Sequence, residues 1–224
     1  MRTFVKKTAI TAGFNNLQGG AELVEGTDMT TFAVLNLKTT WGKEANEFLQ
    51  KYPELTLIDY LGDPAEQEAY NQVCSSILLE NQEMRQIMFA TMQNRYQQYD
   101  HINFDYEAPV TTGPLSCYCQ RCLNHFRREA ALPENTVLDY KTIQAQYQDL
   151  WTRFMNRKLT ALTRIFLNLS HTLNKQLTFY SGYESPKTLV QYGVDWNLIG
   201  KEIDYALCGY RTSSQIIRNT IKAL

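Results

Sequence analysis

Short apolar runs alternate with longer segments of helical periodicity along this chain. The runs are rich in β-branched, aliphatic and aromatic residues, and they end at polar or turn-forming positions, which is typical of buried strands. They lie at residues 31–37, 55–60, 101–107, 176–181 and 203–208, and residues 3–11 are interpreted as a first strand. The pattern therefore predicts six strands.

The segments between these runs predict helices. Residues 42–52, 83–99 and 141–174 carry apolar side chains at a spacing close to 3.6 residues, and residues 190–201 and 213–224 carry shorter helical patterns. The stripe within residues 83–99 consists of Met84, Ile87, Met88, Met92 and Tyr96. Each helix is thus expected to cover one face of a sheet.

Strands that alternate with helices favour parallel β/α units joined by right-handed crossovers. We therefore predict an α/β fold of the TIM (β/α)8 barrel type, a single domain over residues 1–224. A complete barrel has eight strands and about 250 residues. We accordingly expect an incomplete barrel of about six β/α units, truncated at the C-terminal end. An open doubly wound sheet is the alternative, but no glycine-rich nucleotide-binding loop supports it.

Composition narrows the partners that this fold could have. The net charge is -1, so no strong positive field attracts nucleic acid or an anionic membrane. No apolar run reaches the roughly 20 residues of a membrane span. Residues 1–13 are too polar for a secretory signal, although a secreted or periplasmic protein without its signal fits equally well. The 14 Tyr, 10 Phe and 3 Trp suit sugar rings as well as cores, so carbohydrate is the expected partner.

The fourth predicted strand ends in acidic residues. Its period of two places Asn103, Asp105 and Glu107 on one face, which in a barrel is the lumen. Glu107 then lies at the carboxyl end, where barrel enzymes carry their catalytic groups. A neighbouring carboxylate and partial burial would raise its pKa towards that of a general acid. Asp105 and Glu107 are therefore candidate catalytic residues; the simpler interpretation is solvated residues at a strand end.

Further polar and aromatic residues follow the other predicted strands at the same edge. Such positions form the substrate site of a barrel enzyme, where aromatic rings stack on sugars and polar groups bind hydroxyls. Packing at the rim is the alternative role for each of them. The candidate substrate-binding residues are Trp41, Asp59, Tyr180, Tyr183 and Tyr210.

Three cysteines lie within six residues, at Cys117, Cys119 and Cys122. This spacing allows three thiolates to reach one tetrahedral ion, and structural zinc usually takes four ligands. Cys74 is the candidate fourth ligand, and His125 is the alternative. Such a zinc would hold the loop after Glu107 against the loop after the third strand. A disulfide or free thiols would explain the same residues, and the fifth cysteine, Cys208, is expected in the core.

These two motifs together resemble the glycoside hydrolase family 42 β-galactosidases. Asp105-Tyr106-Glu107 is followed by Cys117-Tyr118-Cys119-Gln120-Arg121-Cys122 and then Phe126-Arg127. The resemblance implies Glu107 as the acid/base and a four-cysteine zinc site. Tyr106 departs from the family, which has at this position an Asn that contacts a sugar hydroxyl; Tyr106 is nevertheless a candidate substrate-binding residue. The family's nucleophile lies on a seventh strand, which is not assigned here.

The resulting expectation is a relative of these enzymes that hydrolyses O-glycosidic bonds. The alternative is a non-catalytic carbohydrate-binding barrel, or an inactive fragment of a larger glycosidase. A zinc-ribbon module that binds nucleic acid is the third possibility, and the near-neutral charge disfavours it.

Overall fold

The structure, a computed structural model, describes residues 10–11, 16–18, 22, 24–36, 42–64, 66–67, 70–71, 73–105, 117–181, 189–190 and 193–208. Its strands are β1 (Asn16–Gln18), β2 (Thr30–Asn36), β3 (Glu66–Gln67), β4 (Tyr70–Asn71), β5 (His101–Asp105), β6 (Gln176–Ser181) and β7 (Tyr205–Cys208). Its helices are α1 (Gly42–Lys51), α2 (Ser75–Glu80), α3 (Gln82–Gln98), α4 (Gln120–Glu129), α5 (Tyr140–Gln146), α6 (Gln148–Thr172) and α7 (Trp196–Ile199).

Five of these strands form one parallel sheet in the order β1-β2-β5-β6-β7, and β3 and β4 form a separate antiparallel pair. The order of neighbours in the sheet follows the order along the chain, without the reversal that defines a doubly wound sheet. The prediction of an α/β fold with parallel β/α units is therefore confirmed. The barrel itself, of the (β/α)8 type but incomplete with about six β/α units, stays a prediction.

One face of the sheet packs against the helices and forms the core. Ile102 and Phe104 of β5 and Leu177 and Phe179 of β6 are fully buried. The ring of Phe104 lies 4.8 Å from that of Phe166 in α6, centroid to centroid. Ring contacts at such distances add to the stabilisation that apolar burial supplies. Alternation along β5 and β6 therefore assigns the apolar positions to the helix side, as the sequence pattern predicts.

The helices follow the predicted periodicity with one break. In α3, Met84, Met88 and Met92 are fully buried, which confirms that stripe. The predicted helix over residues 141–174 is instead two helices, α5 and α6, separated at Tyr147 (φ -130°, ψ 16°). Both segments are amphipathic, so the apolar spacing continues through the junction and does not reveal the break.

Two of the predicted strands differ from the structure. Residues 55–60 do not enter the parallel sheet, because β2 pairs directly with β5. Ile10 and Thr11 are helical, which contradicts a strand through residues 3–11, and the sequence pattern missed β1 and α4. The predicted helix at residues 213–224 lies outside the described residues.

A buried tyrosine joins two helices to the sheet. The hydroxyl of Tyr96 in α3 donates to Ser170 Oγ in α6 and to the carbonyl oxygen of Gln176 in β6, the latter at 3.1 Å. Burial raises the pKa of Tyr96 to about 12, so the hydroxyl keeps its proton at ordinary pH. We expect Tyr96→Phe to lower the free energy of unfolding by about 1–2 kcal/mol in urea denaturation. Tyr99→Phe is the control, and an equal loss there would contradict the assignment.

The amino end of the sheet depends on one carboxylate. Asp100 Oδ2 accepts hydrogen bonds from the backbone N–H of Thr31 (2.8 Å) and from its hydroxyl (3.0 Å). The bond from the Thr31 N–H is the main cause that lowers the pKa of Asp100. A lowered pKa means that the carboxylate stabilises the fold above the unfolded value of about 3.9, and that this contribution is lost as the pH falls through the folded value.

We therefore expect Asp100→Ala to cost about 1 kcal/mol in urea unfolding at pH 7. The difference from the parent protein should shrink as the pH falls below about 4, because the carboxylate is then protonated first in the unfolded state and, once the pH passes its lowered pKa, in the folded state as well. Asp28→Ala, at an exposed position just before β2, serves as the control. A difference for Asp100→Ala that stays constant down to pH about 2 would refute the role of the charge.

Candidate metal centre and candidate active-site edge

The segment 55–58 connects the two parts of the chain that carry the clustered cysteines. Leu55 accepts a backbone hydrogen bond from Cys74 (3.0 Å), and Thr56 forms an antiparallel bridge with Val73. On its other side, Ile58 accepts a backbone hydrogen bond from Tyr118 (2.9 Å). The predicted third strand is thus extended in part, but it supports the cysteine cluster and not the parallel sheet.

Four cysteines meet in the interior beside this segment. Cys74 precedes α2, Cys117 and Cys119 precede α4, and Cys122 lies in the first turn of α4. All four are buried free thiols, and their sulfur atoms lie within 4.8 Å of one another. The sulfur of Cys74 lies 3.6 Å from that of Cys119 and 3.4 Å from that of Cys122.

These distances fit a tetrahedral metal site. Zn–S bonds of about 2.3 Å place the sulfurs of a ZnS4 tetrahedron about 3.8 Å apart. Four thiolates also match the ligand set of structural zinc and of single iron sites. The group is therefore a buried four-cysteine site that could hold a metal ion, with the four ligands that the sequence proposed. The structure does not contain the disulfide alternative among these cysteines.

The thiols share their protons unequally. Hydrogen bonding from Cys117, above all, holds the pKa of Cys122 well below its usual value and lowers that of Cys119 to about 7. Hydrogen bonding with Cys119 is the main cause that raises the pKa of Cys117. The backbone N–H of Ile58 also donates to the sulfur of Cys117 (3.4 Å). Cys122 and Cys119 are therefore the thiols that most readily carry the negative charge that a metal ligand requires, whereas the pKa of Cys74, like that of Cys117, is raised.

A lysine from the long helix reaches this cluster, and the sequence reading missed it. Lys158 Nζ donates to the sulfur of Cys122 (3.3 Å) and to Ser76 Oγ (2.7 Å). Its signal in the sequence is its position, because Lys158 lies four residues from both Phe154 and Leu162 on the apolar side of α6. A lysine within an apolar stripe suggests a buried partner.

The other candidate ligands have different environments. His125 Nδ1 lies 3.3 Å from a carboxylate oxygen of Glu80 and is not one of the grouped ligands. His125 as the fourth ligand is therefore the weaker alternative. Cys208 is the last residue of β7, where it is the register partner of Ser181.

The candidate catalytic strand lies in the middle of the described sheet. Register pairing places Asp105, at the carboxyl end of β5, beside Asn36 of β2 and Tyr180 of β6. One layer earlier, Asn103 is buried and pairs in register with Thr178. The backbone thus brings two predicted site residues, Asp105 and Tyr180, to neighbouring positions at one edge of the sheet.

Asp59 takes part in a local turn. Its Oδ1 accepts the backbone N–H groups of Leu61 (2.8 Å) and Asp63 (3.1 Å), and its own N–H donates to the carbonyl of Asp63 (2.8 Å). Short acidic side chains commonly bind nearby N–H groups in this way. The prediction that Asp59 lies at the end of a sheet strand is wrong, because residues 55–60 do not form a strand of the sheet. Contact with substrate stays a prediction.

Five of the predicted site residues lie outside the described residues. Glu107 follows two residues after the end of β5, in the stretch of chain that leads to Cys117. Its catalytic role and the substrate-binding roles of the others stay predictions. Those others are Trp41, Tyr106, Tyr183 and Tyr210.

The parallel sheet and the buried cysteine group define an α/β protein with a candidate metal centre. Among solved structures it resembles a β-galactosidase from the psychrophilic Marinomonas ef1, with a TM-score of 0.60 over 92% of this chain at 12% identity. It also resembles the PgaB (BpsB) glycoside hydrolase domain from Bordetella bronchiseptica, with a TM-score of 0.54 over 91% of this chain at 13% identity. At these identities the likeness concerns the fold.

The chain spans 38% of the first of these proteins and 59% of the second. No family model matches the sequence, and no curated protein matches it either. The likeness therefore concerns the fold alone, and it does not select family 42. Among the described helices, none combines the length and the apolar character that a membrane span needs.

Proposed function

We propose that this protein is a glycoside hydrolase that cleaves O-glycosidic bonds, with Glu107 as the general acid/base. The proposal is supported by the parallel sheet in sequential order, together with a fold likeness to two glycoside hydrolase structures over more than nine-tenths of the chain. In such folds the catalytic groups lie at the carboxyl ends of the strands. Glu107 follows the carboxyl end of a central described strand.

The chemistry requires a carboxylic acid that protonates the leaving oxygen and a second carboxylate that acts as nucleophile or base. Glu107 is proposed for the first role. Asp105 precedes it by two residues, and its negative charge would raise the pKa of Glu107 and keep it protonated at working pH. The separation between Glu107 and the second carboxylate would decide the outcome, about 5–5.5 Å for retention and about 6.5–9.5 Å for inversion.

The substrate would lie across the strand ends of a (β/α)8-type barrel. Tyr180 is half-buried beside Asp105 in the register of the sheet, which supports a place for it in the site. Trp41, Tyr183 and Tyr210 are proposed to contribute stacking faces or hydroxyl donors from the neighbouring loops. Carbohydrate is accordingly the proposed ligand class.

The cysteine group is proposed to hold a structural zinc ion. Cys74, Cys117, Cys119 and Cys122 would supply all four ligands, which leaves no position for a catalytic water. The ion would supply a cross-link only. It would fix Cys117, and hence the far end of the segment that starts at Glu107, against the start of α2.

The proposal is tested with the whole chain, loaded with zinc, against a panel of aryl glycosides and oligosaccharides. Turnover of at least one substrate, with release of reducing sugar, is the expected result. Binding of sugars in calorimetry without any turnover would instead establish the alternative, a non-catalytic carbohydrate-binding barrel. That alternative is favoured because no residue of this sequence is proposed as the second catalytic carboxylate.

A further inference from the structure

A buried lysine is unusual because an ammonium group loses its hydration when it leaves water. Lys158 is 7% exposed, and its Nζ lies 4.9 Å from the ring centroid of Phe154. Burying an uncompensated charge costs several kcal/mol even after local relaxation. A stable fold that buries Lys158 as an ammonium group must therefore supply a compensating negative charge nearby.

Carboxylates do not supply that charge within the part of the chain that the structure describes. Two acidic residues line the same cleft as Lys158 but pair elsewhere: Glu80 with His125, and Glu129 with Arg157. The polar contacts of Nζ there are the hydroxyl of Ser76 and the sulfur of Cys122. The compensating charge must then reside on the cysteine group.

The charge state of the cysteine group follows from the charges of its possible forms. Four neutral thiols, or two disulfides, would leave the ammonium without an anion. Four thiolates around a divalent ion carry a net charge of -2, and one ammonium reduces this to -1. From this contact we infer that Lys158 is the internal counter-charge of a thiolate-bound divalent metal and positions Cys122 as a ligand.

The hydroxyl of Ser76 completes the arrangement. It accepts from Lys158 and lies 3.3 Å from the sulfur of Cys122, so its own proton is available to that sulfur. Cys122 thus has two donors besides its neighbouring thiols, one charged and one neutral. Groups that orient a metal ligand in this way typically contribute 10–100-fold to metal affinity.

This inference rests on the proposed metal centre and is independent of the proposed hydrolysis. The inference also predicts that loss of the Lys158 ammonium has different effects on metal affinity and on the stability of the metal-free protein. With metal bound, removal of the ammonium leaves a dianionic site uncompensated, so affinity falls. Without metal, the same change removes a buried cation, and a proton on the sulfur of Cys122 can replace its charge, so the fold is no less stable. If Lys158 served only to fill space in the core, its replacement would not lower metal affinity while leaving the metal-free fold equally stable.

The test uses Lys158→Met, which keeps most of the side-chain volume, and Lys158→Arg, which keeps the charge. Lys141→Met, at an exposed position of α5, is the matched control. Zinc affinity is measured by competition with a chromophoric chelator, and thiolate coordination is followed by the charge-transfer absorption of the cobalt(II) protein. Thermal unfolding of each chelator-treated protein reports the metal-free fold.

We expect Lys158→Met to weaken zinc binding by 10–100-fold, with the metal-free midpoint unchanged or higher. Lys158→Arg should retain most of the affinity, and Lys141→Met should match the parent protein. Unchanged affinity in Lys158→Met, or a lower metal-free midpoint with unchanged affinity, would overturn the inference. A parent protein that binds neither zinc nor cobalt would overturn the metal centre as well, while leaving the proposed hydrolysis open to its own test.

Discussion

Replacing Glu107 with Gln is expected to lower kcat for an oligosaccharide by about 10²–10⁴-fold. The amide has nearly the same size and can still accept or donate a hydrogen bond, but it cannot transfer a proton to the leaving oxygen. A sugar leaving group is strongly basic and depends on that proton. Zinc content and the thermal midpoint should remain those of the parent protein, because four cysteines supply the proposed metal ligands.

The role of Glu107 as an acid makes a finer prediction within the same experiment. An aryl glycoside with a weakly basic leaving group needs little protonation, so its cleavage should decline much less in Glu107→Gln than that of an oligosaccharide. The alkaline limb of the pH–rate profile, where a general acid loses its proton, should also disappear. Asp105→Asn is the companion variant, which should keep turnover while shifting that limb. An equal decline on both substrate types would mean that Glu107 acts in some other way.

Removal of metal is the change with the second largest expected effect. A ligand present at about 1,000 times its dissociation constant stabilises the folded state by about 4 kcal/mol. For a chain of this size, that corresponds to about 8–16 °C in the thermal midpoint. Treatment with a strong chelator should therefore lower the midpoint of the parent protein by that amount, and Cys74→Ser should produce a similar loss.

The chelator and the substitution should not add to one another. Cys74 is fully buried, and its sulfur lies within 3.6 Å of two other cysteine sulfurs, so its loss removes one of the four ligands. In Cys74→Ser the chelator should then change the midpoint little. Cys208→Ser is the matched control, since Cys208 ends β7 and should retain the full response. A full chelator response in Cys74→Ser would exclude Cys74 as a ligand.

A comparison of the apolar runs with the strands of the sheet shows which strands the apolar pattern predicts correctly. The runs at residues 31–37, 101–107 and 176–181 correspond to β2, β5 and β6 because each is buried by helices on a continuous face. The run at residues 55–60 has the same composition, yet it pairs with Val73 and Tyr118 instead of a sheet strand. An apolar run indicates that a segment is buried, but not what buries it. Residues 55–57 are buried beside the cysteine cluster instead of in the sheet.

The candidate metal site was easier to predict from the sequence than the residues at the carboxyl edge of the sheet. Cys117, Cys119 and Cys122 lie close together along the chain, and short-range spacing limits where their sulfurs can go. Cys74 was a choice among distant residues, and the fold brings it to within 3.4 Å of Cys122. The neighbours of Asp105 could not be chosen this way, because the direct pairing of β2 with β5 was not foreseen.

By itself the sequence determined the α/β class, most of the helices and three of the four clustered cysteines, because local periodicity and spacing encode these features. Only the tertiary structure decided that residues 55–58 support the cysteine group and that Lys158 contacts Cys122. The physical reason is that both depend on contacts between residues far apart in the chain: Lys158 and Cys122 are 36 residues apart, and Ile58 and Cys117 are 59 apart. A lysine's cost of burial is visible only when its neighbours in space are known.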